Sequence, residues 1–575
     1  MTNLCRTDNG TMTLRQAQAA VLYEAGVLGG VLAAIRTGGG KTLSSGLLPF
    51  VLGAERPLLF VPAKLKKKTR IELAELQKHW RIDLKKLWIE SYEKLGLPQH
   101  EQMLISRNPD LIICDEAQAL KHVETSARAR RMARFMRYFP QCKFAAMSAT
   151  LGDVEEFAHL LLWALRDGAP VPKEPEEIQA WAKILTSKPK AFDFGEPPDP
   201  AELVPHLGKE AIDYPQAAFR QRLVSTPGVI VSVDKYEGAG LIVKPRYVDP
   251  SPEVEAAFAD LRELETMPDG FPLDGSPFEQ WHAARQLSLG YYYMHDPRPP
   301  EPWRDIRRQY GKAVRTILEF SERYDTEKMV RDAFEAGVLI SEPYDPSPHL
   351  RPDITTKNGA APDGSDVDVS GLTIFEAWQK IEKTYQPKRY PVWLSEHVID
   401  NVEAWGRKSG GGIIWVDSVA FATKLSERTG WGYFRNFGYD QKKRFIEGDR
   451  VKSSEVVIAS LEANKEGRNL QRKWYRNLFV DPPNKGDDHE QAISRTHRDG
   501  QPHTNVYVDY LITCLEYYNS IYAAVEKNAD HHATIGQHYR LLYADVVMPS
   551  LIGRKGDQTW RPKKKNKVST SDFEW

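Results

Sequence analysis

The run Arg36-Thr37-Gly38-Gly39-Gly40-Lys41-Thr42 constrains the fold more than any other stretch of this chain. It follows the apolar residues 30–35 and precedes Leu43, Leu47 and Leu48, a pattern that predicts strand, tight turn and helix. Glycines let successive amides converge on one anion, and the helix that follows turns its positive end towards it. In such a loop Lys41 reaches the β- and γ-phosphates of a nucleotide and Thr42 helps to hold a metal ion. The strict form of the pattern has glycine where this chain has Ala34.

A second feature fits the same chemistry. Residues 110–114 predict a short buried strand, and Asp115 and Glu116 follow at its carboxyl end. That edge of a parallel sheet is where ligands collect. Two adjacent acids there are costly to bury unpaired, and a divalent cation relieves the cost. Asp115 then holds Mg2+ through water and Glu116 polarises the attacking water. The other reading of the pair is a helix start whose acids face the helix dipole.

At 575 residues the chain has room for three or four domains, and 41% hydrophobic content excludes global disorder. Lys plus Arg and Asp plus Glu balance at 78 each, so attraction to nucleic acid must come from local patches. Cys5, Cys114, Cys142 and Cys514 are scattered without metal-like spacing, which suits a reducing compartment. Neither a leader pattern nor an apolar span of membrane length is visible. The expectation is a cytoplasmic protein with no membrane partner.

Residues 12–163 read as one α/β unit, with strands expected at 32–35, 58–62, 110–114 and 144–147 and helices at 67–79 and 126–139. Prolines between 169 and 205 break regular structure. Helices are expected at 280–293, 306–324 and 327–336, and a Pro-, Gly- and Asp-rich surface loop at 345–371. A second α/β pattern begins near Gly410: strands at 412–416, 455–460, 473–480 and 505–511, and helices at 421–428, 512–530 and 534–547.

Short segments stand along the chain in a particular order: Leu14-Arg15 with Gln18; Val61-Pro62-Ala63-Lys64-Leu65; Ser91-Tyr92-Glu93-Lys94-Leu95; Asp115-Glu116-Ala117-Gln118-Ala119-Leu120-Lys121-His122; and Ser148-Ala149-Thr150. Glu466-Gly467-Arg468-Asn469-Leu470-Gln471, Asp481-Pro482-Pro483 and Gln491-Ala492-Ile493-Ser494-Arg495-Thr496-His497-Arg498-Asp499-Gly500-Gln501 complete the series. The series resembles superfamily 2 helicases and translocases, and looks most like the SNF2 group of double-stranded DNA motors, of phage type. Gln118 stands where that group has histidine, Ser148-Ala149-Thr150 where it more often has Thr-Gly-Thr, and Asp499 where it has an apolar residue.

The resemblance implies two tandem RecA-like domains clamping ATP and walking on nucleic acid. It assigns 1–163 to the first domain, 164–372 to a linker and mostly helical insertion, 373–552 to the second domain and 553–575 to a tail. It makes Gln18 the adenine-recognising glutamine, and adds Gly467 and Gln491 to a nucleotide site of Gly38, Gly39, Gly40, Lys41, Thr42, Asp115 and Glu116. Lys64 falls in a backbone-contacting motif and Lys94 in another, while Arg468 belongs to one that faces both DNA and nucleotide. Charge building on a departing phosphate is stabilised by a cation brought across a domain cleft. Arg498 is the expected arginine finger and Arg495 its partner, three apart on one helical face.

Lys64, Lys66, Lys67, Lys68 and Arg70 form the densest basic cluster of the folded region and suit phosphate contacts without base readout. Residues 280–308 interleave aromatics with arginines, which reads as base stacking or as interdomain packing. The basic residues Arg561, Lys563, Lys564, Lys565 and Lys567 precede Asp572-Phe573-Glu574-Trp575, which resembles the acidic-aromatic tips by which some phage replication proteins engage partners. His531 and His532 read as polar helix surface, not as a metal site.

The function expected from sequence is an ATP-dependent DNA translocase or helicase, with ATP and Mg2+ as cofactors and duplex or forked DNA as partner. RNA stays open, as does a replication or repair partner docked on the insertion or tail. A fork or single-strand helicase and an ATP-gated scaffold are the alternatives.

Overall fold

The computed structural model describes residues 1–97, 99–123, 126–186, 199–232, 238–263, 267–268, 277–297, 300–320, 327–339, 371–386 and 388–546. The surface loop expected at 345–371, apart from Gly371, and the tail 553–575 lie outside the described residues. The chain forms a mixed α/β fold with two separate parallel sheets flanked by helices.

The first sheet contains β1 (Val31–Ala34), β2 (Pro57–Val61), β3 (Trp88–Ser91), β4 (Leu111–Asp115), β5 (Lys143–Ser148) and β6 (Val229–Val231), in the order β3-β2-β4-β5-β1-β6. Side chains alternate between its faces. Leu32, Leu58, Phe60, Ile112, Cys114 and Phe144 enter one core, and Val31, Ala33, Leu59, Ile113, Ala145 and Met147 enter the other. Burial on both faces is why these strands read as continuous apolar runs. β5 lies between β4 and β1, pairing Ser148 with Ala34 and Met147 with Asp115. The carboxyl ends that carry the glycine loop, the acidic pair and Ser148 therefore lie side by side.

The second sheet contains β7 (Gly240–Tyr247), β10 (Gly412–Val416), β11 (Gly432–Phe434), β12 (Val456–Ser460), β13 (Arg476–Phe479), β14 (Asn505–Ile512) and β15 (Asp545–Val546), in the order β11-β12-β10-β13-β14-β7-β15. Ile413, Trp415, Val457 and Phe479 fill one of its cores, and Ile414, Val416, Ile458 and Leu478 the other. β6 and β7 both come from residues 164–372, so that segment completes both sheets as well as supplying helices. We call the two sheets with their helices the first and second lobes.

β8 (Tyr291–Asp296) and β9 (Lys388–Trp393) form an antiparallel pair. Tyr291, Tyr292 and Tyr293 thus lie in a strand, where a helix over 280–293 was expected. The helix Pro277–Ser288 stops before Gly290, whose φ is +85°, and consecutive aromatics suit a pleated sheet. Tyr291 and Tyr292 are buried packing residues. Arg285 from the same helix forms an ion pair with Asp481 beyond β13, and Tyr517 donates to that carboxylate at 2.9 Å. Helices Glu301–Phe320, Glu327–Glu335 and Ile374–Ile381 share a small core of Ile306, Tyr310, Val330, Phe375 and Trp378. Among the described residues no helix is long and apolar enough to cross a membrane.

Candidate functional site

Gly38 and Gly40 both have φ of +83°, a conformation that favours glycine, and Gly40 caps the helix Lys41–Leu52. A side chain at Gly40 would run into the Gln18 amide. Gln18 is buried; it donates to the Gly40 carbonyl at 3.1 Å and accepts from the Arg15 amide at 2.8 Å. It therefore ties the start of the helix Gln16–Leu28 to the loop. Among the described residues, the amides of Gly38, Gly40, Lys41 and Thr42 make no backbone hydrogen bond. Thr42 is half-buried on the first helical turn. Free amides at a helix start make a cradle able to receive an anion.

The acidic pair faces this cradle. Lys41 Nζ lies 3.2 Å from Glu116 Oε1, with both side chains largely buried. Burial and the charge of Glu116 push the Asp115 carboxyl up to about 7, against the pull of Lys41. Burial opposes the charge of Glu116 too, but Lys41 and the Gln118 amide outweigh it and keep that group below its ordinary value. Glu116 has φ of +58°, a conformation non-glycine residues hold only when their surroundings impose it. Gln118 donates to Glu116 Oε2 at 3.0 Å and accepts from Ser148 Oγ at 2.6 Å, linking the ends of β4 and β5. Thr150 Oγ1 is buried with no partner among the described residues.

Arginines of the second lobe close the other side. An alanine-like Cβ at Gly38 would stand 3.7 Å from Arg498 Nη2. Arg498 also donates to Asn469 Oδ1 at 2.8 Å. Arg495 donates from Nε to the Gln491 carbonyl at 2.8 Å, and the Gln491 side chain is itself buried. Burial and Arg498 push the Arg495 guanidinium down to about 9, and Glu116 opposes the shift. Burial and Arg540 likewise lower Arg498. These cations crowd one another against the glycine loop, an arrangement that an anion between them would relieve.

The expectation that Arg495 and Arg498 share a helical face is corrected: the helix Gly486–Ile493 ends before both. Ser494 Oγ donates to the Gln491 carbonyl at 2.7 Å and Thr496 Oγ1 to the Ile493 carbonyl at 3.3 Å. The Gln491 carbonyl, which a further helical turn would give to the Arg495 amide, goes to side chains, and the Arg495 amide turns to the Ala492 carbonyl at 3.1 Å.

Sequence reasoning missed Arg540, in the short helix Arg540–Tyr543. It is buried and donates to Thr37 Oγ1 in the loop at 2.8 Å and to the His497 carbonyl at 3.0 Å, and it forms an ion pair with buried Glu490. The available signal was a lone cation inside the mostly apolar run 539–546. Asp499 also reaches the first lobe, 3.0 Å from Arg15 and 3.9 Å from Arg36.

The expected nucleic-acid residues divide by partner. Lys64 bonds the Glu462 carbonyl at 3.1 Å and Glu466 at 2.9 Å, and Lys68 bonds the Gly467 carbonyl at 2.5 Å. Both therefore bridge the lobes, and a side chain at Gly467 would strike Leu65. Lys66 and Lys94 share Glu90, at 2.5 and 3.3 Å. Arg468 donates to the Phe437 carbonyl at 2.6 Å and stands 3.6 Å from Glu447. Lys67 and Arg70 are exposed.

His531 is not polar surface: it is buried, 3.1 Å from the Tyr539 hydroxyl and 2.9 Å from Asp153 Oδ1 across the lobes. The helix Leu515–Ile535 presents it to the first lobe, and Lys527 reaches the same carboxylate at 3.0 Å. Among the described residues no cluster of His, Cys, Asp or Glu is arranged to hold a metal ion by itself. No protein-family model matches the chain, and no curated protein matches it in sequence.

Proposed function

We propose that this chain is an ATP-dependent nucleic-acid motor of the superfamily 2, SNF2-like kind, in which two RecA-like lobes hydrolyse ATP between them. The observation that carries the reading is the approach of Arg498 from the second lobe to Gly38 of the loop that presents Lys41, with Glu116 opposite. Separated by more than 450 residues in sequence (about the whole motor), these groups meet only because the lobes face each other.

The donor set suits a nucleoside triphosphate. Gly38, Gly39 and Gly40 give the phosphates room, the free amides of the loop and Lys41 bind them, and Gln18 braces the loop. Mg2+, when bound, neutralises phosphate charge, and Thr42 and Asp115 are the residues that would hold it. Glu116 is held ionised and is free to orient water once Lys41 turns to phosphate. Arg498 and Arg495 stabilise charge on the leaving side, and Gly467 and Gln491 support the second-lobe wall.

Movement on DNA follows if closing of the lobes on ATP is coupled to the contacts made by Lys64 and Lys68 with the segment 462–467. Lys67, Arg70, Lys66, Lys94 and Arg468 are the proposed backbone-contacting groups. Duplex or forked DNA is the proposed partner.

The test is Glu116→Gln, with nucleotide binding and turnover measured separately. Retained ATP binding with lost turnover supports a hydrolytic motor. Unchanged turnover would remove Glu116 from the chemistry, and wild-type binding without any turnover would favour an ATP-gated scaffold.

A further inference from the structure

The loop that follows β11 carries an aromatic side chain held out in solvent. The single turn Asn436–Gly438 places Phe437 at φ +62° with 70% of its surface exposed. Asn436 before it also has positive φ, at +36°. A bulky residue rarely adopts this conformation, and no burial of the ring compensates for it.

The turn is nevertheless firmly built. Arg468 Nη2 donates to the Phe437 carbonyl at 2.6 Å, and the Gly438 amide donates to the Arg435 carbonyl at 2.9 Å. The Ile446 amide closes on the Gly438 carbonyl at 3.0 Å. The Arg468 guanidinium sits 5.0 Å over the Phe445 ring, which packs in turn on half-exposed Tyr439 at 5.2 Å. Rigid support beneath an exposed ring is what a stacking platform needs, because little freedom is lost on binding.

Its surroundings indicate what would stack. Arg435, Lys442 and Lys443 are exposed around the turn. Arg468 leads through Glu447 to Lys68, 3.7 Å from that carboxylate, and so to exposed Lys67 and Arg70 on the first lobe. An aromatic face rimmed by cations, on the seam where both lobes present basic residues, matches a strand with its phosphates on the rim and a base on the ring.

We propose that Phe437 is a base-stacking residue that takes an unpaired nucleobase of the strand bound along this seam. The proposal rests on the nucleic-acid reading given above and adds to it a point of contact with bases. It gives the protein a preference for DNA with an unpaired stretch, such as a fork, over uninterrupted duplex.

The full chain is compared with Phe437→Ala and Phe437→Trp by fluorescence anisotropy, using a labelled mixed-sequence single strand and the duplex of the same length. Loss of one stacked base predicts that Phe437→Ala weakens single-strand binding about tenfold, with the salt slope unchanged and Trp restoring affinity. Duplex affinity should not move. Thermal melts establish that each variant is folded, as expected for so exposed a ring. Equal single-strand binding by wild type and Phe437→Ala overturns the proposal and leaves the motor reading intact. A parallel loss for single strand and duplex, or a changed salt slope, overturns stacking in favour of a backbone role. Failure of wild type to bind either DNA overturns the parent reading, and the proposal with it.

Discussion

The contact between Arg540 and Glu490 offers a perturbation whose size follows from the structure. Both residues are almost fully buried, at 8% and 2% exposure. The guanidinium spans Glu490, His497 and Thr37, so one residue joins the second lobe to the loop of the first. In Arg540→Met the Glu490 carboxylate stays buried and keeps only the residue 540 amide, at 2.7 Å. Removing one partner of a buried pair costs about 3–5 kcal/mol, mostly through the charge left behind. For a lobe of ordinary size that is a fall on the order of 10 °C in melting temperature. Replacing both, in Arg540→Met with Glu490→Met, removes the stranded charge and should recover most of the loss. Thermal unfolding of wild type, both single variants and the double variant provides the cycle. Affinity for a fluorescent ATP analogue should fall in Arg540→Met and stay low in the double variant, because Thr37 has lost its brace in both. A double variant as unstable as the sum of the singles would refute the argument, since the pair would then contribute no coupling.

Gly40→Ala forces alanine into the positive-φ region and against Gln18; we expect nucleotide affinity to fall about tenfold, measured by titration of the same analogue. Burial works against the charge on Asp153, but the His531 hydrogen bond and Lys527 hold its carboxyl well below the ordinary range. The resulting stabilisation is present above about pH 4, the unfolded carboxylate value, and is lost as pH falls below it. Asp153→Asn should therefore lower the melting temperature at neutral pH and differ less from wild type as the buffer is acidified. All four cysteines are buried, and burial raises the thiols, Cys142 to about 12. A thiol-alkylating reagent should leave the native chain unmodified by mass spectrometry and label every cysteine after unfolding.

Local pattern revealed the parts of this molecule that are local. The glycine loop, the Asp115-Glu116 pair and the strands that carry them are visible because period, turn chemistry and apolar runs coincide over a few residues. β6 is only Val229–Val231, too short to announce itself, and its place beside β1 depends on contacts some two hundred residues away (about the length of a domain). The helix end at Ile493 was hidden for another reason: Ser494 and Arg495 side chains bond to the Gln491 carbonyl, which composition does not show. Lys64 and Lys68 read as phosphate-contacting cations because their partners, Glu462, Glu466 and Gly467, lie in the other lobe. His531 and Arg540 were illegible for the same reason, being polar residues whose burial depends on the lobes meeting. Of the groups that join the lobes, Arg498 was displayed by the order of the motifs, whereas His531 and Arg540 were concealed; the groups that make up one loop or strand end were displayed.

Steady-state ATP hydrolysis at fixed low salt, with no polymer, single-stranded DNA, duplex, forked DNA and RNA in parallel, tests the central claim most directly. The account predicts turnover that depends on Glu116 and Arg498 and rises on addition of duplex or forked DNA. Hydrolysis no faster than that of Glu116→Gln under every condition would contradict it.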